Sequence, residues 1–204
     1  LGSRTLKPHW EGKKSHRRIT RILKSASRVS KLVEPKRSAA DAQFDSQKNV
    51  KLVNISCQPE RMRFTTEQFA VTTGQPIKLV LSNADATDHN LVLVQPDALE
   101  EVGLAANDMA RDPRNANSDF VPESKKHLIL QYAPMIGPTR KSRVHVLRFN
   151  APTKPGIYPY VCTFPGHWVI MTGDMLVVDN LKDVDALLAT RRRPKFVKEW
   201  TMAD

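Results

Sequence analysis

Ile157-Tyr158-Pro159-Tyr160-Val161-Cys162, followed across residues 163–172 by Gly173-Asp174-Met175-Leu176-Val177-Val178, is the stretch on which the fold reading turns. Both runs are rich in aromatic, β-branched and long apolar side chains, and each reads as a short strand. Working back from this pair, period-two or β-branched runs occur at 50–56, 61–65, 68–72, 76–82, 90–94, 127–132 and 144–149, giving strand candidates throughout the middle of the chain. Turn signals separate them at Thr73-Gly74, Asn83 to Asp88, Pro134 to Pro138 and Pro152 to Gly156. Many short strands at this spacing predict an all-β sandwich or barrel. One stretch breaks the pattern: Leu99, Val102, Ala105, Ala106 and Met109 recur at helical spacing, so 97–110 reads as a helix inserted between strands, with loop at 111–125.

Charge divides the chain in the same way. Residues 1–50 carry 13 Lys and Arg against four acids, residues 51–179 carry 13 against 13, and residues 180–204 carry six against four, so the formal +11 sits in the flanks of a balanced centre. In the first flank Ile19, Ile22, Leu23, Ala26, Val29 and Val33 line one face of a segment from Ser15 to Val33, and Arg17, Arg18, Arg21, Lys24, Arg28 and Lys31 occupy the others. This predicts a basic amphipathic helix suited to an anionic membrane surface or an acidic partner. Nucleic acid is disfavoured because no aromatics are interleaved with the charges. Residues 36–49 are small and polar and read as a linker. After Asn180, Val184, Leu187 and Leu188 predict a short helix before Arg191-Arg192-Arg193-Pro194. The domain reading is therefore a basic arm with linker at 1–49, a β domain at 50–180 and a short helical, basic tail at 181–204. No apolar run approaches the roughly 20 residues of a membrane-spanning helix, and no secretion signal is read.

The loop between the two opening strands carries the chemistry. It begins at Cys162 and runs Thr163-Phe164-Pro165-Gly166-His167-Trp168-Val169-Ile170-Met171, setting a thiol, an imidazole and a thioether on one short segment. A second imidazole, His89, follows the turn at 83–88, and antiparallel sandwiches bring the ends of distant strands together. Any one of these residues alone is ordinary; their combination with this strand context is not. Thiolate and thioether suit copper(I), imidazole suits copper(II), and two His, one Cys and a weak axial Met satisfy both. Such a set leaves no strong open position for a substrate. Cys162 is then needed as a ligand, which leaves Cys57 unpaired and reads it as a small buried side chain near a strand end.

Cys-Thr-Phe-Pro-Gly-His with Met four residues on resembles the copper loop of azurins and auracyanins, members of the cupredoxin family. The resemblance extends to Met62-Arg63-Phe64, Phe69-Ala70-Val71, Asp88-His89-Asn90-Leu91-Val92-Leu93 and Tyr158-Pro159-Tyr160-Val161-Cys162, covering roughly residues 52–179. It implies a Greek-key β-sandwich binding one type 1 copper ion, with His89, Cys162 and His167 as strong ligands and Met171 as the axial one. It also implies that Asn90 ties the ligand loops together and that the backbone N–H groups of Asn90 and Phe164 point at the ligand sulfur. The family's Gly before the first His is Asp88 here, which leaves open the backbone carbonyl contact made at that position. Pro165, Trp168, Val169 and Ile170 would surround the edge of His167 as an apolar electron-entry patch. The implied role is one-electron transfer in a periplasmic or other extracytoplasmic setting, with a redox protein such as a c-type cytochrome or a fused haem domain as partner.

Other readings compete. Copper enzymes that couple a blue site to a second centre place a ligand His beside the copper Cys, whereas Val161 and Thr163 flank Cys162. A Cys–His nucleophile pair would lack an orienting third group and leave Met171 unexplained. A binding module would put the weight on the basic arm. The flanks also resemble the stretches around azurin-like modules of large bacterial proteins, in which the copper site would be a relay.

Overall fold

The computed structural model describes residues 36–190, so the basic helix expected at 15–33 and the end of the tail lie outside the described residues. Two sheets face each other. The first has the order β1-β3-β6, with β1 at Lys51–Cys57, β3 at Pro76–Asn83 and β6 at Val144–Asn150. The second has the order β2-β8-β7-β4-β5, formed by Gln68–Thr72, Thr172–Val178, Gly156–Val161, His89–Val94 and Ile129–Ile136 respectively. The chain crosses between sheets repeatedly: β1 lies parallel to β3, and β2 parallel to β8.

Alternation in the sequence sets the facing. In β3, Ile77, Leu79 and Leu81 point inward, between the half-exposed Lys78, Val80 and Ser82. They meet Val53 and Ile55 from β1, Phe149 from β6, and Leu91, Tyr160, Met175 and Val177 from the opposite sheet in one core. The strand β4 does not alternate, because all six of its residues are buried. Leu91 and Leu93 enter the core between the sheets, while Val92 and Val94 enter a second apolar cluster with Ala98, Val102 and Val161. A strand covered on both faces reads as a continuous apolar run. The cover is the expected inserted helix, α2 at Leu99–Met109, which turns Val102, Gly103 and Ala106 inward and carries Glu100 and Glu101 in its first turn, where acids complement the helix dipole.

Three expectations need correction. Residues 61–65 form no strand, only an isolated bridge between Cys57 and Phe64. Glu60 and Met62 adopt positive φ there, which breaks the extended run, and Phe64 alone drops into the core. The expected turn at Pro134 is instead inside β5. That strand is the edge of its sheet, where a missing N–H costs no ladder bond. The expected linker at 36–49 contains a helix, α1 at Ala39–Asp45, started by a reciprocal capping box between Ser38 and Asp41. Arg148 of β6 clamps it, with Nε and Nη2 on the Asp45 carboxylate at 2.8 and 3.0 Å and Nη1 on Asp41 at 3.2 Å. Small polar residues looked like a spacer because their partner lies a hundred positions away. The helix expected after Asn180 is present as α3, Val184–Ala189.

Candidate metal centre

Register brings the site together. β4 runs antiparallel to β7 with Val92 opposite Val161, so His89 at the start of β4 lies beside the loop that leaves β7 through Cys162. His167 then opens a single 3-10 turn, and Met171 immediately precedes β8. The turn needs Gly166 at φ 83°, a left-handed conformation that glycine adopts without strain. Backbone bonds close the loop: the N–H of Cys162 donates to the Met171 carbonyl at 3.0 Å, that of Met171 to His167 at 2.8 Å, and that of His167 to Phe164 at 2.9 Å.

The Sγ of Cys162 lies 3.7 Å from Nδ1 of His89 and 3.7 Å from Nδ1 of His167, and the two Nδ1 atoms are 3.3 Å apart. A point equidistant from all three would be about 2.1 Å from each, the length of a metal–nitrogen bond and slightly short of a metal–sulfur bond. His89, Cys162 and Met171 are fully buried, and His167 keeps 8% of its surface exposed. Burial, followed by the neighbouring His89, pushes the His167 ring down to about 4, so at neutral pH the ring is uncharged and one of its nitrogens keeps a lone pair. Burial likewise pushes the Cys162 thiol up to about 12, although the backbone N–H groups of Asn90 and Phe164 favour its anion. A pocket that provides two donors for a thiolate yet disfavours a free one fits a cation that replaces the thiol proton. The three donors, with Met171 on the same loop, therefore fit a soft metal ion with a preference for nitrogen and sulfur.

Asn90 laces the two ligand segments as expected. Its Oδ1 accepts from the Thr163 N–H at 2.7 Å, and its Nδ2 donates to Thr163 Oγ1 at 2.6 Å and to the Asp119 carbonyl at 2.8 Å. Asp88 uses its side chain rather than the freedom of a glycine. Its buried carboxylate accepts from Arg140 Nε at 2.8 Å, from the Thr139 N–H at 3.2 Å and from the Thr139 hydroxyl. Arg140 goes on to the carbonyls of Asn117 and Ser118, tying in the 111–125 loop. Burial alone would raise the Asp88 carboxyl, but these bonds outweigh it and hold it below its ordinary value.

The expected entry patch divides. Val169 and Ile170 are 62% and 43% exposed, and Pro165 is half-buried beside them. Trp168 departs from that grouping: its indole turns toward α2 and packs on the cluster of Val92, Val94 and Val102. It lies so close to Gly103 that a Cβ there would come within 2.5 Å of the ring. Its Nε1 is buried without a hydrogen-bond partner among the described residues. In a second tie to α2, the Gly166 N–H donates to Asn107 Oδ1 at 2.9 Å. The Phe164 ring lies tilted against that of His167, with ring centroids 4.7 Å apart.

Sequence reasoning missed Asp85. Its Oδ2 lies 2.9 Å from Nε2 of His89, and both side chains are buried. Oδ1 accepts from the Ala86 and Glu60 N–H groups at 2.7 and 3.1 Å. The signal available was an Asp four residues before the ligand His, inside a segment that read simply as turn. The lone Cys57 is buried, as expected, at the end of β1, and burial pushes its thiol up.

Residues 51–178 match the family described as copper binding proteins, plastocyanin/azurin family. Among curated proteins, auracyanin-A of Chloroflexus aurantiacus is 27% identical over 126 residues, covering 61% of this chain and 73% of that protein. Auracyanin-B of the same organism is 29% identical over 128 residues, covering 61% of this chain but only 51% of that one. Among solved structures, the dithionite-reduced auracyanin of Roseiflexus castenholzii superposes with a TM-score of 0.53 at 30% identity, covering 63% of this chain and 97% of that one.

Proposed function

The chain belongs to the plastocyanin/azurin family of copper-binding proteins, and from that premise we propose that it is a one-electron carrier rather than an enzyme. The observation that carries the proposal is the convergence of His89 Nδ1, Cys162 Sγ and His167 Nδ1 on a point at bonding distance from all three, with Met171 buried on the same loop. In this reading His89, Cys162 and His167 would hold a type 1 copper ion, with Met171 as a further, weaker sulfur donor. The ion supplies a single reversible electron through the copper(I)/copper(II) couple.

The protein supplies stiffness. The loop's backbone bonds, the Asn90 lacing and the α2 buttress hold the donors in one arrangement, which suits both oxidation states and keeps reorganisation small. Burial of the donors leaves a substrate no open position and excludes water. Electrons then enter at the exposed sliver of His167, through the apolar surface of Val169, Ile170 and Pro165. Small apolar contacts of this kind release quickly. The partner is a redox protein such as a c-type cytochrome or a fused haem domain, in a periplasmic or other extracytoplasmic setting. Among the described residues no helix is long and apolar enough to cross a membrane.

Voltammetry of the copper-loaded protein tests the reading. It predicts a reversible one-electron wave, shifted to higher potential in Met171→Leu, because a drier, more apolar site disfavours the extra charge of copper(II). Loss of copper in Met171→Leu, or a clear fall in potential, contradicts the role of Met171 as a weak donor.

A further inference from the structure

We propose, building on the copper reading, that Asp85 is a positioning residue of the metal centre, fixing the tautomer of His89 and biasing the site toward copper(II). The geometry separates this role from ordinary turn-building. The two carboxylate oxygens of Asp85 have different tasks. Oδ1 accepts the N–H groups of Ala86 and Glu60 and so shapes the turn. Oδ2 faces Nε2 of His89 at 2.9 Å. Of the two, Oδ2 alone concerns the metal site.

An ionised carboxylate can only accept, so Nε2 of His89 must carry the hydrogen. In the neutral ring that leaves the lone pair on Nδ1, the atom 3.7 Å from Cys162 Sγ and 3.3 Å from His167 Nδ1. The bond thus selects the tautomer able to bind and fixes the plane of the ring, as outer hydrogen bonds to metal-bound histidines generally do. The charge matters separately. Asp88, next to His89 in the chain, has its carboxylate neutralised by the Arg140 guanidinium. Asp85 is satisfied among the described residues by N–H donors alone, and the Arg143 guanidinium meets the same turn through the carbonyls of Asn83 and Asp85, at 3.1 Å each. A buried negative charge one imidazole away from the ion stabilises the more positive oxidation state.

Asp85→Asn is the informative variant, because its size is unchanged while its single carbonyl oxygen cannot accept from the turn N–H groups and from His89 together. Two readouts are needed. In the metal-free protein, nitrogen-detected NMR of the imidazoles should find His89 protonated on Nε2 in the wild type, and a mixture or the Nδ1–H form in Asp85→Asn and Asp85→Ala. In the copper-loaded protein, both variants should remain blue while the ratio of copper(I) to copper(II) affinity rises at least tenfold, which for one electron is a 59 mV increase in potential. An unchanged His89 tautomer together with an unchanged potential overturns the proposal, even if the variants lose folding stability, since a turn residue alone would produce that pattern. If the wild type took up no copper, the copper reading would fail by itself, and the metal-free NMR would still decide whether Asp85 sets the tautomer.

Discussion

The loop from Cys162 to Met171 and the turn from Asn83 to His89 meet at one site but are held in opposite ways. The loop closes largely on itself: the N–H groups of Cys162, His167, Ile170 and Met171 pair within ten residues, and only those of Thr163 and Gly166 go to outside side chains, Asn90 and Asn107. The turn is held by buried polar side chains that reach far along the chain. Asn83 Nδ2 donates to the Ile136 carbonyl at 2.7 Å, Asp85 reaches Glu60, and Asp88 reaches Thr139 and Arg140. A self-closed loop tolerates replacement of a donor atom without unfolding. A turn built on buried charges loses more stability when it is changed, because removing one partner strands the other.

Five substitutions probe this contrast. The largest effect belongs to the loop and is purely chemical. Cys162→Ser should abolish the blue charge-transfer band entirely, since the band needs sulfur, while the metal-free protein loses only about 1 kcal/mol of stability in urea. An intensely blue serine variant ends the copper assignment; collapse of the fold shows that the loop is less self-supporting than its backbone bonds suggest.

In the turn, Arg140→Ala leaves the Asp88 carboxylate buried without its guanidinium and should cost about 3 kcal/mol, the lower end for a broken buried pair because Arg140 is partly exposed. The pH dependence has a definite sign. The folded-state carboxyl of Asp88 is held below its ordinary value, so its pairing contributes fully above about pH 4 and is lost as pH falls through the lower folded value. Removing Arg140 should therefore move the acid-unfolding midpoint upward, and a midpoint at or below that of the wild type contradicts the ion-pair account.

Gly103→Ala tests the buttress between α2 and the loop. A methyl group 2.5 Å from the Trp168 ring must displace the indole, at about 1–3 kcal/mol for overpacking, seen as a lowered urea midpoint with shifted tryptophan fluorescence. Trp168→Phe should relieve much of that cost in the double variant. The smallest structural effect is Val169→Lys, on a side chain 62% exposed, where stability should change by less than about 0.5 kcal/mol. The spectrum should be unaltered while electron self-exchange slows severalfold, most strongly at low salt where the introduced charges repel. An unchanged rate would move the entry point to another face.

Legibility in the sequence followed the same division. The loop could be read directly because its ligands, its left-handed glycine and its flanking strands are contiguous. The inserted helix was legible from the spacing of Val102, Ala106 and Met109. What stayed hidden depended on distant partners: α1 became part of the domain through Arg148, Pro134 entered a strand because β5 is an edge, and Trp168 turned inward because Gly103 makes room for it. Asp85 looked like any acid in a turn until the register of β4 and β7 placed His89 against the loop.

In the proposed centre Cys162 holds copper as a thiolate, together with His89, His167 and Met171. Titrating copper(II) into the purified, metal-free protein while following the visible spectrum tests it most directly. The account predicts an intense blue band that saturates at one copper per chain and bleaches on reduction. A colourless complex, or a band that persists in Cys162→Ser, contradicts it.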